Sequence, residues 1–516
     1  MSALREASWA TLKDEHKERR SVMEYSRARY RVNKTVRFSL LSVGQRELIY
    51  SAALEILGRT GARIHSGKAQ EILKKAGCWI DGNVVRFPVG LSEWAVRSAP
   101  SKILLYDRNG NLKINLEGCN SYYGPGPSNN WQVDPYTEEL RKPTMRDTEN
   151  VGKICEALPN IDFVQDLGTL DDVTPTLADV YAFKALVNST TKPIVHWGFG
   201  VDQYNDIVDM ASAVAGGLES LQKHPFLALY SEPSSPLVHS AEAIDKAIFA
   251  AEKRIPVVYT PCIISGATAP ATLAGTLALG VAESLVGIVV SQLVREGSPI
   301  IMGGVYGIMD MRTTIYSYGS PEFNLMQAGI AEVAHYMKVP VFGTAGCTDS
   351  HTLDAQAAAE AAMSILMAAE AGANLIHDCG YTGFGSVGSL FQLVMADEII
   401  GMVRRIIRGV EVTNETLALN DIERVGPSGE FITSEHTYKS FKQETWFPTL
   451  MNRMRYSEWE SSDGSRSMGA RIKEKTRKLL EETEVPVLPE DVQKKIDAVI
   501  TKAEEREKKK AAALGG

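Results

Sequence analysis

The chain has 516 residues, a length that suits one large barrel with added segments or two to three domains. Its net charge of -8 excludes the basic face that marks a nucleic-acid binder. With 44% hydrophobic and 23% charged residues it has the make-up of an ordinary globular protein.

The N-terminal stretch from Met1 to Arg31 is polar and mixed in charge, without the apolar core of a signal peptide. Residues 1–118 read as an α+β segment packing on the larger region C-terminal to it. A helical pattern runs through Leu48, Ile49, Ala52, Leu54, Ile56 and Leu57, a short helix follows near 68–76, and strands at 84–88 and 102–115 turn at Asp81-Gly82 and Asn109-Gly110.

Residues 119–410 repeat one unit, a short apolar strand followed by a longer helix. Strands are expected at 121–124, 163–168, 193–199, 226–232, 256–262, 299–305, 339–346 and 373–380. Helices are expected at 145–157, 176–189, 203–216, 239–253, 271–295, 322–337, 353–371 and 388–408. Eight such units predict a (β/α)8 TIM barrel, and the GxGxxG fingerprint of a dinucleotide-binding open sheet does not follow the early strands. Within this region the most apolar stretch, 269–294, carries Glu283, Ser284, Ser291 and Gln292 and reads as a buried helix rather than a membrane span. Residues 411–516 form a C-terminal extension that ends in a charged helical tail. The six cysteines, at 78, 119, 155, 262, 347 and 379, form no CxxC pair and read as reduced thiols of a cytoplasmic protein.

A β/α barrel carries its active site at the C-terminal ends of its strands. Read there, the sequence offers Tyr123, Trp131, Trp197, Tyr306, Tyr381 and Phe384, and Arg312 as its one obvious cation. Aromatic faces attract a quaternary ammonium, which cannot donate a hydrogen bond. This set is the expected substrate cage. Glu232 and Asp349, at or just past strand ends, are expected to offset a positive charge or orient a neighbour, and His351 follows the small residues after strand seven. No metal site is expected, although Cys347 and His351 with Cys262, Cys379 and His377 keep a zinc reading open.

Several motifs resemble one family. Gly266-Ala-Thr-Ala-Pro-Ala-Thr-Leu-Ala-Gly275, Asp310-Met-Arg312, Gly319-Ser-Pro-Glu322 and Thr348-Asp-Ser-His-Thr-Leu-Asp-Ala-Gln356 are similar to the trimethylamine methyltransferase family. The likeness extends to Ala53-Leu-Glu-Ile-Leu57 with Thr60-Gly61, and to Leu488-Pro-Glu490. The resemblance implies a β/α barrel that passes a methyl group to cob(I)alamin, supplied by a partner corrinoid protein, with no tightly bound cofactor of its own. The trimethylamine enzymes hold pyrrolysine in the segment matching 349–354; here Ser350 and His351 stand in that stretch. That departure resembles the pyrrolysine-free branch, the glycine betaine:corrinoid methyltransferases, and implies a quaternary amine substrate. Two alternatives remain at this level: a zinc-dependent methyltransferase for methanol or methyl thiols, and a non-catalytic quaternary-amine-binding barrel. Neither nucleic acid nor membrane is an expected partner, and a homo-oligomeric state is left open.

Overall fold

The computed structural model describes residues 38–514. Chain contacts divide them into two units, one of Arg404–Trp446 and one of Phe38–Val403 together with 447–514.

The larger unit begins with α1 (Val43–Arg59), β1 (Ala62–Ile64), α2 (Gly67–Lys75), β2 (Trp79–Asp81), β3 (Val84–Arg86), α3 (Val89–Ser98), β4 (Ile103–Tyr106) and β5 (Leu112–Leu116). The repeating region supplies seven parallel strands: β6 (Tyr122–Tyr123), β9 (Ile194–Trp197), β10 (Leu227–Ser231), β12 (Val257–Tyr259), β14 (Ile300–Gly303), β17 (Val341–Thr344) and β18 (Leu375–His377). Their order across the sheet is β6-β18-β17-β14-β12-β10-β9. These strands are almost wholly buried, as parallel strands covered by helices must be.

The expected second strand, 163–168, is reduced to a bridge. Val164 pairs with Ile194, while the Asp162 and Phe163 amides donate to the Tyr123 carbonyl. This segment therefore bonds to both β9 and β6, the two edge strands of the sheet.

Helices follow at nearly the expected limits: α4 (Met145–Ala157), α5 (Ala178–Ser189), α6 (Val201–Ala215) with the short α7 (Leu218–Lys223), α8 (Ala241–Lys253), α9 (Leu273–Val294), α10 (Pro321–Met337), α11 (Ala355–Ala371) and α12 (Leu390–Ile407). Their ends are written in local chemistry. Ser240, Ser320 and Asp354 accept amide hydrogen bonds as N-caps of α8, α10 and α11, and Gly216 and Gly372 end α6 and α11 in the left-handed conformation. Helix α9 is apolar enough to cross a membrane by composition, yet 83% of its apolar window is buried inside the protein.

Inside the sheet, Tyr122, Phe163, Val195, Trp197, Ala228, Tyr230, Val258, Ile301, Phe342 and Leu375 form one core with Ile103, Leu105, Ile114 and Leu116 of the β4–β5 hairpin. That hairpin closes the bottom. The Tyr106 amide donates to the Pro225 carbonyl ahead of β10 (2.9 Å), and the Arg108 amide to Thr191 ahead of β9 (2.9 Å). Its four aliphatic side chains contribute roughly 6–12 kcal/mol of gross burial free energy before ordering costs. With the bottom plugged, the C-terminal strand ends are the open end.

Two small sheets rise from those ends. One joins β13 (Cys262–Ser265), β15 (Val305–Asp310) and β16 (Ile315–Ser317); the other joins β19 (Tyr381–Thr382), β20 (Val387–Gly388), β7 (Trp131–Val133) and β8 (Leu140–Arg141). A further strand, β11 (Val238–His239), pairs with β1 and ties the N-terminal sheet to the loop that follows β10.

In the smaller unit, α13 (Leu419–Val425) and α14 (Glu435–Glu444) follow α12, and Ser434 caps α14. Past it, the larger unit resumes with α15 (Tyr456–Ser462), α16 (Met468–Glu482) and α17 (Glu490–Leu514). The charged tail is more than a solvated helix: Arg506 pairs with Asp206 of α6 (2.6 Å), and Lys184 of α5 with Asp497 (2.7 Å).

Candidate active site

The open end gathers carboxyl groups with little to neutralise them. Glu232 follows β10 directly and accepts the Tyr230 hydroxyl proton at 2.8 Å. Its side chain keeps solvent access although protein crowds it on all sides, as happens on the floor of a concave mouth; that crowding raises its pKa above the ordinary glutamate value. Asp166 accepts from the Trp197 indole (2.5 Å) and the Ser128 amide (2.9 Å), yet burial still pushes its pKa up to about 7. Asp378, after β18, is 1% exposed, and both of its carboxyl oxygens lack a hydrogen-bond partner among the described residues. Burial, then the charge of Glu232, holds it well above the ordinary aspartate range.

The neighbour of Asp378 fixes where its proton goes. His377 donates from Nδ1 to the Gly343 carbonyl (2.8 Å), and burial lowers its pKa to about 3, so its Nε2 carries a lone pair. That nitrogen lies 3.2 Å from Asp378 Oδ1. Two lone pairs would repel at this distance. A protonated Asp378 resolves the conflict, in keeping with its raised pKa.

Cations are scarce at the mouth. Lys246 of α8 feels the Glu232 charge, but its ammonium donates to the Gly198 carbonyl (2.8 Å) and burial lowers its pKa to about 8. Arg312 is 91% exposed at the rim, beside Asp310.

Aromatic rings cover the acids. Tyr316 and Tyr318 meet edge-on at 4.9 Å, and Tyr318 meets Tyr381 of the other small sheet at 6.2 Å. Trp197 and Phe199 add a second edge-on pair at 4.9 Å. Asp349 organises this arrangement. Its carboxylate accepts from Ser317 Oγ (2.5 Å), the Tyr318 amide (2.8 Å) and the Gly319 amide (3.0 Å), which holds β16 and the two tyrosines in place. Close backbone approach also needs glycine here: a Cβ on Gly307 would lie 2.3 Å from Tyr316, and one on Gly385 2.4 Å from Tyr318.

The residues singled out from the sequence do not all meet. Trp197, Glu232, Asp349 and Tyr381 contribute to the mouth. Tyr306 does not: it is fully buried and its ring packs against Gly280 of α9, where a Cβ would lie 2.3 Å away. Tyr123 is turned away as well, because strand alternation sends Tyr122 into the interior core and its neighbour to the opposite face. Trp131 is 40% exposed and stacks under the Lys142 ammonium at 4.3 Å. His351 is exposed at the rim, edge-on to Phe384 at 5.7 Å. It lines a cavity of about 200 Å3 that includes Lys473 and Gln392 but not Glu232, Asp166 or Asp378.

Sequence reasoning passed over Tyr316, Tyr318 and Asp378. The signal for Tyr318 was its place beside the Gly319-Ser-Pro-Glu322 motif, and for Asp378 its place one residue past a strand. Among the described residues, no three His, Cys, Asp or Glu side chains are gathered as a metal-holding group. Burial raises the thiol pKa values of Cys262, Cys347 and Cys379.

Fold and site together define an α/β protein whose parallel strand ends form an acidic, aromatic mouth. Residues 10–508 match the family model described as trimethylamine methyltransferase (MTTB), and the chain belongs to that family. It is a methyltransferase. The trimethylamine methyltransferase MttB of Desulfitobacterium hafniense is 34% identical over 91% of this chain and 95% of its own length. The glycine betaine methyltransferase of Desulfitobacterium hafniense is 30% identical over 82% of this chain and 88% of its own. Among solved structures, the Methanosarcina barkeri monomethylamine methyltransferase MtmB aligns at 12% identity and a TM-score of 0.49, over 88% of this chain and 90% of that one.

Proposed function

We propose that this methyltransferase moves a methyl group from a quaternary amine to cob(I)alamin on a partner corrinoid protein. The observation that carries this reading is the run of Tyr316, Tyr318 and Tyr381 beside Glu232 and Asp378, with no fixed cation at the centre among the described residues. Ring faces and carboxyls both favour a cation that brings no hydrogen-bond donors.

A quaternary ammonium releases a neutral tertiary amine, so the methyl transfer needs neither a proton nor a Lewis acid. Cob(I)alamin, as the accepting substrate, supplies the nucleophile. The chain's own work is to hold the N-methyl groups against the rings, balance the charge with Glu232, keep the tyrosine hairpin in register through Asp349, and exclude water. His351, at the rim, is assigned to contact the substrate or the incoming partner. In this reading the seven strands and the Val164 bridge act as a complete (β/α)8 barrel, with residues 1–118 and 411–516 as its N- and C-terminal additions. A reducing cytoplasm is the proposed setting, supported by six cysteines that form no disulfide.

The test is methylcobalamin formation by the purified protein with chemically reduced cobalamin. The donors are tetramethylammonium, choline, glycine betaine and trimethylamine. Turnover with a quaternary donor is expected, without turnover of trimethylamine. Efficient demethylation of trimethylamine, with none of the quaternary donors, overturns the reading.

A further inference from the structure

The charge at the mouth bears on the substituent that accompanies the ammonium. The loops and turns that follow the strands, at 124–131, 166–176, 197–200, 231–239, 260–272, 304–320, 345–354 and 378–389, contain eight Asp or Glu and a single Lys or Arg, Arg312. That arginine is engaged at the exposed rim, its backbone amide donating to Asp310 Oδ1 at 2.8 Å and its guanidinium 3.6 Å from the same atom. Lys246, the buried cation that feels Glu232, is committed to the Gly198 carbonyl and lies over the Tyr204 ring at 5.4 Å. A substrate carboxylate placed here would meet no free cation among the described residues and would sit among carboxyl groups.

Asp378 sharpens the argument by its position. Gly126 brings the backbone so close that a Cβ there would lie 2.1 Å from Asp378 Oδ1 and 2.4 Å from the Tyr381 ring. The carboxyl is thus wedged between the 125–127 loop and the tyrosines, buried, with the Tyr318 hydroxyl and His377 Nε2 as its polar neighbours. The acid is neutral at rest, its proton facing His377 Nε2, and a cation held over the tyrosines favours its ionised form. The Tyr316 hydroxyl is buried without a hydrogen-bond partner among the described residues, and it can give or take a hydrogen bond with a neutral hydroxyl.

We propose that Asp378, with Glu232, is a specificity-determining residue that selects quaternary ammonium ligands with a neutral alkyl or hydroxyalkyl tail, of the tetramethylammonium or choline type, over carboxylated betaines. This inference rests on the quaternary-amine reading above.

Titration calorimetry of the full-length protein at matched ionic strength tests it, with tetramethylammonium, choline and glycine betaine as the probes. Choline and tetramethylammonium are expected to bind at least 10-fold more tightly than glycine betaine. In Asp378→Asn that preference should shrink to 3-fold or less. Circular dichroism and gel filtration check its fold, and where it does not fold, Glu232→Gln is read in its place with the same expected shrinkage. Glycine betaine binding as tightly as choline to the wild type overturns the inference and leaves the quaternary-amine reading standing. An unchanged preference in a folded Asp378→Asn overturns the assignment to this residue. Failure of all three cations to bind overturns inference and reading together.

Discussion

Replacing Asp349 by alanine removes the clamp on the tyrosine hairpin, and the structure sets the size of the loss. The carboxylate accepts three hydrogen bonds, from Ser317 Oγ, the Tyr318 amide and the Gly319 amide, at 2.5, 2.8 and 3.0 Å. A bond to a charged acceptor is worth about 1.5–3 kcal/mol net, and water can replace part of it at a half-buried position, so a local loss of ~2–4 kcal/mol is expected. That corresponds to roughly 30- to 1000-fold faster hydrogen exchange across 305–319, read by mass spectrometry, because local opening becomes easier by that factor. Strands β6 and β18 should keep their protection. Asp349→Asn retains one acceptor and should fall between wild type and alanine. Both variants should raise KM for the quaternary donor, since Tyr316 and Tyr318 lose their fixed positions. Exchange within about 3-fold of wild type together with an unaltered KM would refute the assignment of Asp349 as the organiser of the mouth.

Glu232→Gln should weaken tetramethylammonium binding by ~1–3 kcal/mol, measured by calorimetry, through loss of a charged contact. His351→Ala should keep its fold, since the side chain is exposed in a loop, but lower methyl transfer by at least ~10-fold, or ~1.4 kcal/mol; wild-type rates would make His351 a bystander. Gly307→Ala places a methyl group where Tyr316 lies and should impair quaternary-amine binding with little change in the far-ultraviolet spectrum, whereas unchanged affinity would show that Tyr316 gives way freely. Glu283 is buried on α9, which raises its pKa to about 7 from the ordinary 4.5, even though Ser235 Oγ and the Leu237 amide donate to it. The folded state therefore holds this proton more tightly than the unfolded chain: the contribution to stability is full below about pH 4.5 and is lost as pH rises through 7. Glu283→Gln should remove ~3 kcal/mol of that decline, seen as urea midpoints that differ less between pH 5 and pH 8 than in the wild type.

Much of the architecture was legible because it repeats. The 3.6-residue apolar period and the caps are local properties, so the eight helices after the strands fall within two or three residues of their expected ends. The strand ends could be located for the same reason, and with them Trp197, Glu232, Asp349 and Tyr381. The apolar helix at 273–294 was read correctly as core because Glu283 and Gln292 interrupt it, and both are buried within the fold.

The rest depended on partners distant in sequence. A two-residue strand such as Tyr122–Tyr123 has too few positions for its own pattern to say which ring faces inward; its pairing with β18 decides that Tyr122 does. Tyr306 lies next to a strand end in sequence, but the close approach of Gly280 draws its ring against α9. The Asp349 carboxylate finds its donors about 30 residues away, and nothing in the local sequence ties it to Ser317. Residues 163–168 carry the composition of a strand, yet only Val164 makes a bridge. The sequence by itself determined the order of elements and which segments reach the open end, since both follow from periodicity along the chain. Only the tertiary structure decided which acids stay unpaired and which rings stand over them, because desolvation and charge neutralisation depend on everything packed around a group rather than on its neighbours in the chain.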